Sequence, residues 1–274
     1  MEAFKKHIGY RLGELKKHIH LVRDRGEVED IHDLRLDIKK LRSVIQLIRL
    51  TIPLNGPNSF RYFRSLFKTA GNVRELQVNR KLLSEWDFKE LKQVKKRLKK
   101  REKSVHLKLD EVMESYGDHM HRNLVSELDA IVRRLDRGEL LRAADRFFSD
   151  SLDIITELSV APSTEELHDI RIRLKSASEV LMVLSEIGFE EELKSLKTRI
   201  KPVTAALGDW HDLALFSEWL EGYRKKESRS SIRRALKVVQ ADVESREASA
   251  RLTIKQELHT ILDENLELGL SGGD

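Results

Sequence analysis

An all-α fold is predicted for this chain of 274 residues by three observations. Turn formers are scarce, with 13 Gly and 4 Pro. Apolar residues recur at i, i+3, i+4 and i+7 nearly throughout, the period of a helix with one buried face. The hydrophobic share of 40% and the charged share of 35% suit two-faced helices around a core. No stretch approaches the roughly 20 apolar residues of a membrane span. The absence of Cys excludes disulfides, thiol catalysis and Cys–zinc sites. Lys+Arg number 51 against 46 Asp+Glu, a formal net charge of +5, so function depends on where the charges lie and not on their sum. The N-terminal segment is amphipathic and lacks an apolar signal core, so a soluble cytoplasmic protein with no membrane partner is expected.

The first helix is expected over residues 3–24, with Phe4, Ile8, Leu12, Leu15, Ile19 and Val22 inward and Gly26 ending it. His7, His18 and His20 are expected as scattered surface histidines. The second helix, Val28 to Thr51, carries the stretch IHDLRLDIKKLR. Its His32, Arg35, Lys39 and Arg42 fall at i, i+3, i+7 and i+10 on one side, opposite Leu34, Ile38, Leu41, Ile45 and Ile48. After a Pro53–Pro57 loop, a third helix from about Asn58 turns Phe60, Phe63, Phe67 and Ala70 inward and repeats a cationic row at Arg61, Arg64 and Lys68. Gly71 is expected to stop it. Asn72 would cap a fourth helix to Trp86, with Glu75 completing a capping box. A charged run from Lys89 to Arg137, Lys-rich up to Lys103, reads as one long helix or two with a break at Gly117.

Gly138 opens a second cycle, with a helix over 139–158 and a turn at Ala161–Thr164. Ser163 and Glu166 form a capping box ahead of LHDIRIRLKSAS. Here His168, Arg171 and Lys175 lie opposite Ile170, Leu174, Ala177, Leu181 and Leu184, and Gly188 ends the helix. The next helix, about 190–206, has Lys194, Lys197 and Lys201 on one side and Leu193, Leu196, Ile200 and Val203 inward. Gly208 would end it and Asp209 would cap its successor, with Asp212 three residues on. A long polar helix over about 229–267 and a frayed Gly-rich tail complete the chain. Trp86, Trp210 and Trp219 are expected in the core. For Glu75 and Asp212, capping is a sufficient role.

The halves match element for element: His32 with His168, Arg35 with Arg171, and Gly71-Asn72-Val73-Arg74-Glu75 with Gly208-Asp209-Trp210-His211-Asp212. Internal duplication over the whole chain predicts one domain, 1–274, built from repeats 1–137 and 138–274. It predicts two tandem helical bundles related by a pseudo-twofold axis, whose motif helices meet at a common basic groove. A row of cations repels itself unless an anion neutralises it. Cations one turn apart, about 5.4 Å, suit a linear polyanion, with Arg as forked donors, Lys as point charges and His able to gain charge beside the anion.

Two other classes of function draw on the same residues. The pairs His32-Asp33, His168-Asp169 and His211-Asp212 invite an HD-type metal phosphohydrolase. Helix neighbours, however, diverge by about 100°, and each motif His shares its face with Arg and Lys, which repel a divalent cation. Non-specific nucleic-acid binding would use the same phosphates, but no aromatics interleave the basic rows and no recognition-helix signature is present.

At these residues the chain resembles the CHAD family, the conserved histidine α-helical domains. The family pattern His-Asp-x-Arg-x-x-x-Lys/Arg-Arg-x-Arg is met by His32, Asp33, Arg35, Lys39, Lys40 and Arg42. The second copy keeps His168, Asp169, Arg171 and Lys175 but has Ser176 and Ser178 where the family often has further cations. The later Gly-x-x-Arg/Asn-Asp element is met by Gly71, Arg74 and Glu75, and by Gly208, His211 and Asp212. The resemblance implies two similar helical bundles around a basic channel that binds inorganic polyphosphate, with no catalysis of its own and no cofactor or metal. The contacts expected on the motif helices are His32, Arg35, Lys39, Lys40, Arg42, His168, Arg171 and Lys175; Arg64, Lys68, Lys197 and Lys201, which the family pattern does not cover, are added by their spacing on the flanking helices, where they either widen the groove or face water. Polyphosphate granules and polyphosphate-metabolising enzymes are the further partners it suggests.

Overall fold

Every described element is a helix. The computed structural model describes residues 1–52, 60–158 and 162–262, with the side chains of Phe60, Arg61, Leu158 and Leu262 excepted. The helices are α1 (Glu2–Asp24), α2 (Val28–Thr51), α3 (Phe60–Leu83), α4 (Leu91–Glu114), α5 (Asp118–Val132), α6 (Arg137–Leu158), α7 (Thr164–Leu184), α8 (Glu190–Lys226) and α9 (Ser230–Leu262). The Pro53–Pro57 loop, the start near Asn58, Ala161 and the C-terminal tail lie outside the described residues. Among the described residues no helix is long and apolar enough to cross a membrane.

The ends of α2 and α7 follow from local chemistry. Glu27 and Asp30 form a capping box at α2. At α7 the Ser163 side chain accepts from the Glu166 amide at 3.2 Å, and Glu166 accepts from the Ser163 amide at 2.7 Å. Gly26, at φ 61°, turns the chain from α1 into α2. A π-turn over Ser185–Phe189, with Gly188 at φ 117°, redirects the chain from α7 into α8.

Two predicted helix ends are absent, because α3 runs through Gly71 and α8 through Pro202 and Gly208. Asn72 and Asp209 therefore cap nothing, and Glu75 and Asp212 are mid-helix residues. A helical Gly costs about 1 kcal/mol against Ala. Burial of Ala70, Val73 and Leu76 along α3, and of Val203, Leu207 and Trp210 along α8, outweighs it.

In the first half α1 packs on α2, α2 on α3 and α3 on α4; in the second, α6 packs on α7, α7 on α8 and α8 on α9. Helix α5 packs on α1. The main core joins the apolar faces of α1, α2, α6 and α7 to the near halves of α3 and α8, with Leu34, Ile38, Leu41, Ile170 and Leu174 all buried. A smaller core joins the far ends of the α3–α4 and α8–α9 hairpins, where Leu83, Leu91 and Val94 meet Phe216, Leu220 and Leu236. Trp210 is fully buried, while Trp86 and Trp219 pack at the edge of the smaller core.

Two α1 histidines are not surface residues. His7 is buried, its Nδ1 3.2 Å from Glu186, which also pairs with Arg11 at 2.5 Å. The Nδ1 of His18 hydrogen-bonds to the buried carboxyl of Asp37. The acids that engage them come from α2 and the π-turn, so no spacing within α1 reveals the pairing. His20 is exposed, as expected.

Candidate functional site

Helices α2 and α7 cross with their polar faces turned the same way. Ser43 donates to Glu179 at 3.1 Å and Gln46 donates to Ser176, so the two motif helices are tied directly. Ser176, a departure from the family's cationic pattern, thus serves the contact between these helices. Beside this crossing α3 and α8 complete a groove of about 850 Å³.

The groove is lined from α2 by His32, Arg35, Lys39 and Arg42, and from α7 by Arg171 and Lys175. Helix α3 contributes Phe67, Lys68, Gly71, Arg74 and Glu75, and α8 contributes Gly208, His211 and Asp212. Seven Lys and Arg side chains face three carboxylates, those of Glu75, Glu179 and Asp212, so the free groove carries uncompensated positive charge. The rest of the lining is apolar from Leu36, Val78, Ile172 and Leu215, and neutral polar from Gln46, Asn79 and Ser176.

The remaining sequence candidates stand elsewhere. His168 is exposed, with its ring centroid 5.5 Å from that of His211. Lys40 is one residue from Lys39, a rotation of about 100°, and its charge acts on His7 and Asp37 at the α1 side. Lys197 is held by Ser185 at 2.8 Å and Glu190 at 2.9 Å. Arg64 and Lys201 are exposed and do not line the groove. Phe67, expected inward, lies under the guanidinium carbons of Arg35 at 4.4 Å and Arg42 at 5.1 Å. Its ring supports two cations by cation–π attraction.

Arg35 is held in place by α3. One of its nitrogens donates to the Phe67 carbonyl at 2.9 Å. It passes so close to Gly71 that a Cβ there would lie 2.5 Å from Nη1, so this mid-helix Gly is explained by a guanidinium and not by a helix end. At Gly208 a Cβ would meet nothing within 4 Å. Gly71→Ala should therefore displace Arg35 and weaken anion binding while leaving the melting temperature nearly unchanged. The gain in helix propensity, up to about 1 kcal/mol, offsets the lost hydrogen bond of about the same size. Gly208→Ala should leave anion binding as it is. Titration and melting of the two variants side by side check this.

Crowding of like charge and burial together shift several of the groove's ionisable groups. The Lys39 and Lys175 ammonium groups, one from each motif helix, face each other. Burial, Lys175 and Arg35 together bring Lys39 down to about 8. Burial and then Arg171, His168 and Lys175 bring His211 to about 4, so His211 is neutral near pH 7. Burial, then Arg74, lowers His32. Burial, then Arg74, also lowers Arg35. Burial raises Asp212 despite Arg171 and Arg74 nearby. Arg74 thus acts on groups of α2 and α8 alike. In the sequence Arg74 is legible as part of the Gly71–Glu75 element but not as a groove cation, and His211 reads as the twin of Arg74 and as half of a His-Asp pair.

Among the described residues no group of three or more His, Asp and Glu side chains is placed to hold a metal ion. The arrangement offers forked and point-charge donors and neutral imidazoles. It suits the holding of an extended anion.

Fold and groove together define an all-α protein with a cation-lined cleft between two helix pairs. The family model described as CHAD domain matches residues 6–221. The chain belongs to the CHAD domain family. Among solved structures, the crystal structure of the CHAD domain from the plant Ricinus communis superposes with a TM-score of 0.74 at 17% identity, over 94% of this chain and 91% of that one. PptA from Streptomyces chartreusis superposes with a TM-score of 0.66 at 13% identity, over 94% and 98%. At these identities the likeness is one of fold. No curated protein matches the chain.

Proposed function

We propose that this protein binds inorganic polyphosphate in the groove between α2, α3, α7 and α8, without a catalytic step of its own. The observation that carries the reading is the pairing of Lys39 with Lys175 across the two motif helices, among seven cations facing three carboxylates. Such crowding is unfavourable in the free protein and is relieved by a polyanion. Arg35, Arg171, Arg42 and Arg74 supply forked donors; Lys39, Lys68 and Lys175 supply point charges; His32 gains charge as the chain enters, and His168 stands at the rim as a hydrogen-bonding group. Lys40, Arg64, Lys197 and Lys201 are outside this contact set. The same reading takes residues 1–274 as one domain of two repeats, 1–137 and 138–274, supported by the common packing order of α1–α4 and α6–α9. A cytoplasmic site of action, at polyphosphate granules or beside polyphosphate-metabolising enzymes, fits a binder of this kind.

Calorimetric titration with long-chain polyphosphate, and with DNA as competitor, tests this. Polyphosphate is expected to bind, to displace DNA, and to weaken as salt rises. DNA displacing polyphosphate would favour a nucleic-acid role instead. Binding should also take up protons near pH 8. The bound anion returns Lys39 from about 8 towards its ordinary 10.5, so affinity is full below pH 8 and falls as pH rises above it. Titrations at pH 8 in two buffers of different ionisation enthalpy measure the uptake. Identical heats in the two buffers would contradict it.

A further inference from the structure

The Lys-rich first half of α4 is not part of the groove. Between residues 92 and 103 its one acid is Glu102. Lys92, Lys96, Lys99 and Lys103 fall at i, i+4, i+7 and i+11 on the exposed face, opposite the buried Leu91, Val94 and Leu98. A solvated helix face ordinarily mixes both signs of charge; this one does not.

The row is joined to the groove by shared walls. Arg74 and Val78 of the groove also line a cleft of about 280 Å³ with Gln77, Arg80 and Lys81 of α3 and with Ser84 just past its end. Arg80 in turn lines a pocket of about 450 Å³ with Lys99, Glu102, Lys103, His106 and Leu107 of α4 and with Gly26. Several of these groups are already engaged. Arg80 pairs with Glu102 at 3.4 Å. His106 lies 3.3 Å from Asp110 and 3.3 Å from the Gly26 carbonyl. Lys81, Lys99 and Lys103 are exposed, and no carboxylate pairs with them among the described residues. Arg74 and Lys81 are two turns apart on α3, about 10 Å along its axis.

We propose that Lys81, Lys99 and Lys103 form a second binding segment, reached from the groove past Arg74 and Arg80, which takes the distal part of a long polyphosphate chain. This rests on the groove reading above. It makes the protein selective for chain length: a short oligophosphate is held by the groove alone, and a long chain gains additional cations without a second binding event.

The test compares wild type with the triple variant Lys81→Gln, Lys99→Gln, Lys103→Gln, titrated with tripolyphosphate and with long-chain polyphosphate at two salt concentrations. The three side chains are exposed, so the melting temperature should not move. The variant is expected to bind long chains about tenfold more weakly, with a salt dependence smaller by about three ions released, and to bind tripolyphosphate as wild type does. An unchanged long-chain affinity and salt slope overturns the proposal while leaving the groove reading standing. An equal loss for both lengths also overturns it. If tripolyphosphate binds too weakly to titrate, the salt slope for long chains decides alone. A wild-type protein that binds neither ligand overturns both readings.

Discussion

Replacing Arg35 and Arg171 together by alanine should weaken polyphosphate binding by about a hundredfold or more, while helicity and melting temperature stay near those of wild type. Each guanidinium donates charge-assisted hydrogen bonds worth about 1.5–3 kcal/mol, and about 3 kcal/mol for the pair already corresponds to a hundredfold in Kd. The fold does not depend on them for burial. Arg35 gives up one bond to the Phe67 carbonyl and a place over the Phe67 ring, and the groove in return loses two like charges from a crowded set. A double variant with wild-type affinity would reject the assigned site. One that fails to melt cooperatively would show that the arginines hold the helices together. Circular dichroism alongside the titration separates the two cases.

His18→Ala should be the most damaging of the polar substitutions for stability, costing about 3 kcal/mol at pH 7 and lowering the melting temperature by about 6–10 °C. The substitution leaves the carboxyl of Asp37, buried at 4% exposure, without its hydrogen-bond partner. Burial already raises Asp37 above the ordinary carboxylate range, and His18 opposes that shift. Without His18 the shift grows. The unfolded chain ionises Asp37 at its ordinary pKa, so the penalty is present above that value and shrinks as pH falls and the native carboxyl protonates. Melting at pH 4.5 and 7 should show the smaller loss at the lower pH. Adding Asp37→Asn should recover part of the loss at pH 7. A loss independent of pH would assign the role of His18 to packing.

Periodicity made most of the fold legible. The apolar faces of α1, α2 and α7 are buried residue for residue as spacing predicts, and the Ser163–Glu166 box stands where the sequence places it. The cationic faces of α2 and α7 were legible in the same way, and their Arg35, Lys39, Arg171 and Lys175 line one groove. What spacing could not reveal are interactions whose reason lies on another helix. Gly71 reads as a terminator because its tertiary partner, the Arg35 guanidinium, is 36 residues away in sequence. Phe67 reads as core because an aromatic at helical spacing gives the same signal whether it meets Leu or a pair of arginines. His7 and His18 read as surface because their acids belong to α2 and the π-turn. Lys197 reads as the equal of Lys194 and Lys201, though the turn at Gly188 brings Glu190 and Ser185 to it.

The central claim is that α2 and α7 act on one anion together. A crystal structure of the protein with polyphosphate bound measures this directly. The account predicts continuous phosphate density between the two motif helices, in contact with Arg35 and Lys39 on one side and Arg171 and Lys175 on the other. Phosphate density elsewhere on the surface, with that groove left to solvent, would contradict it.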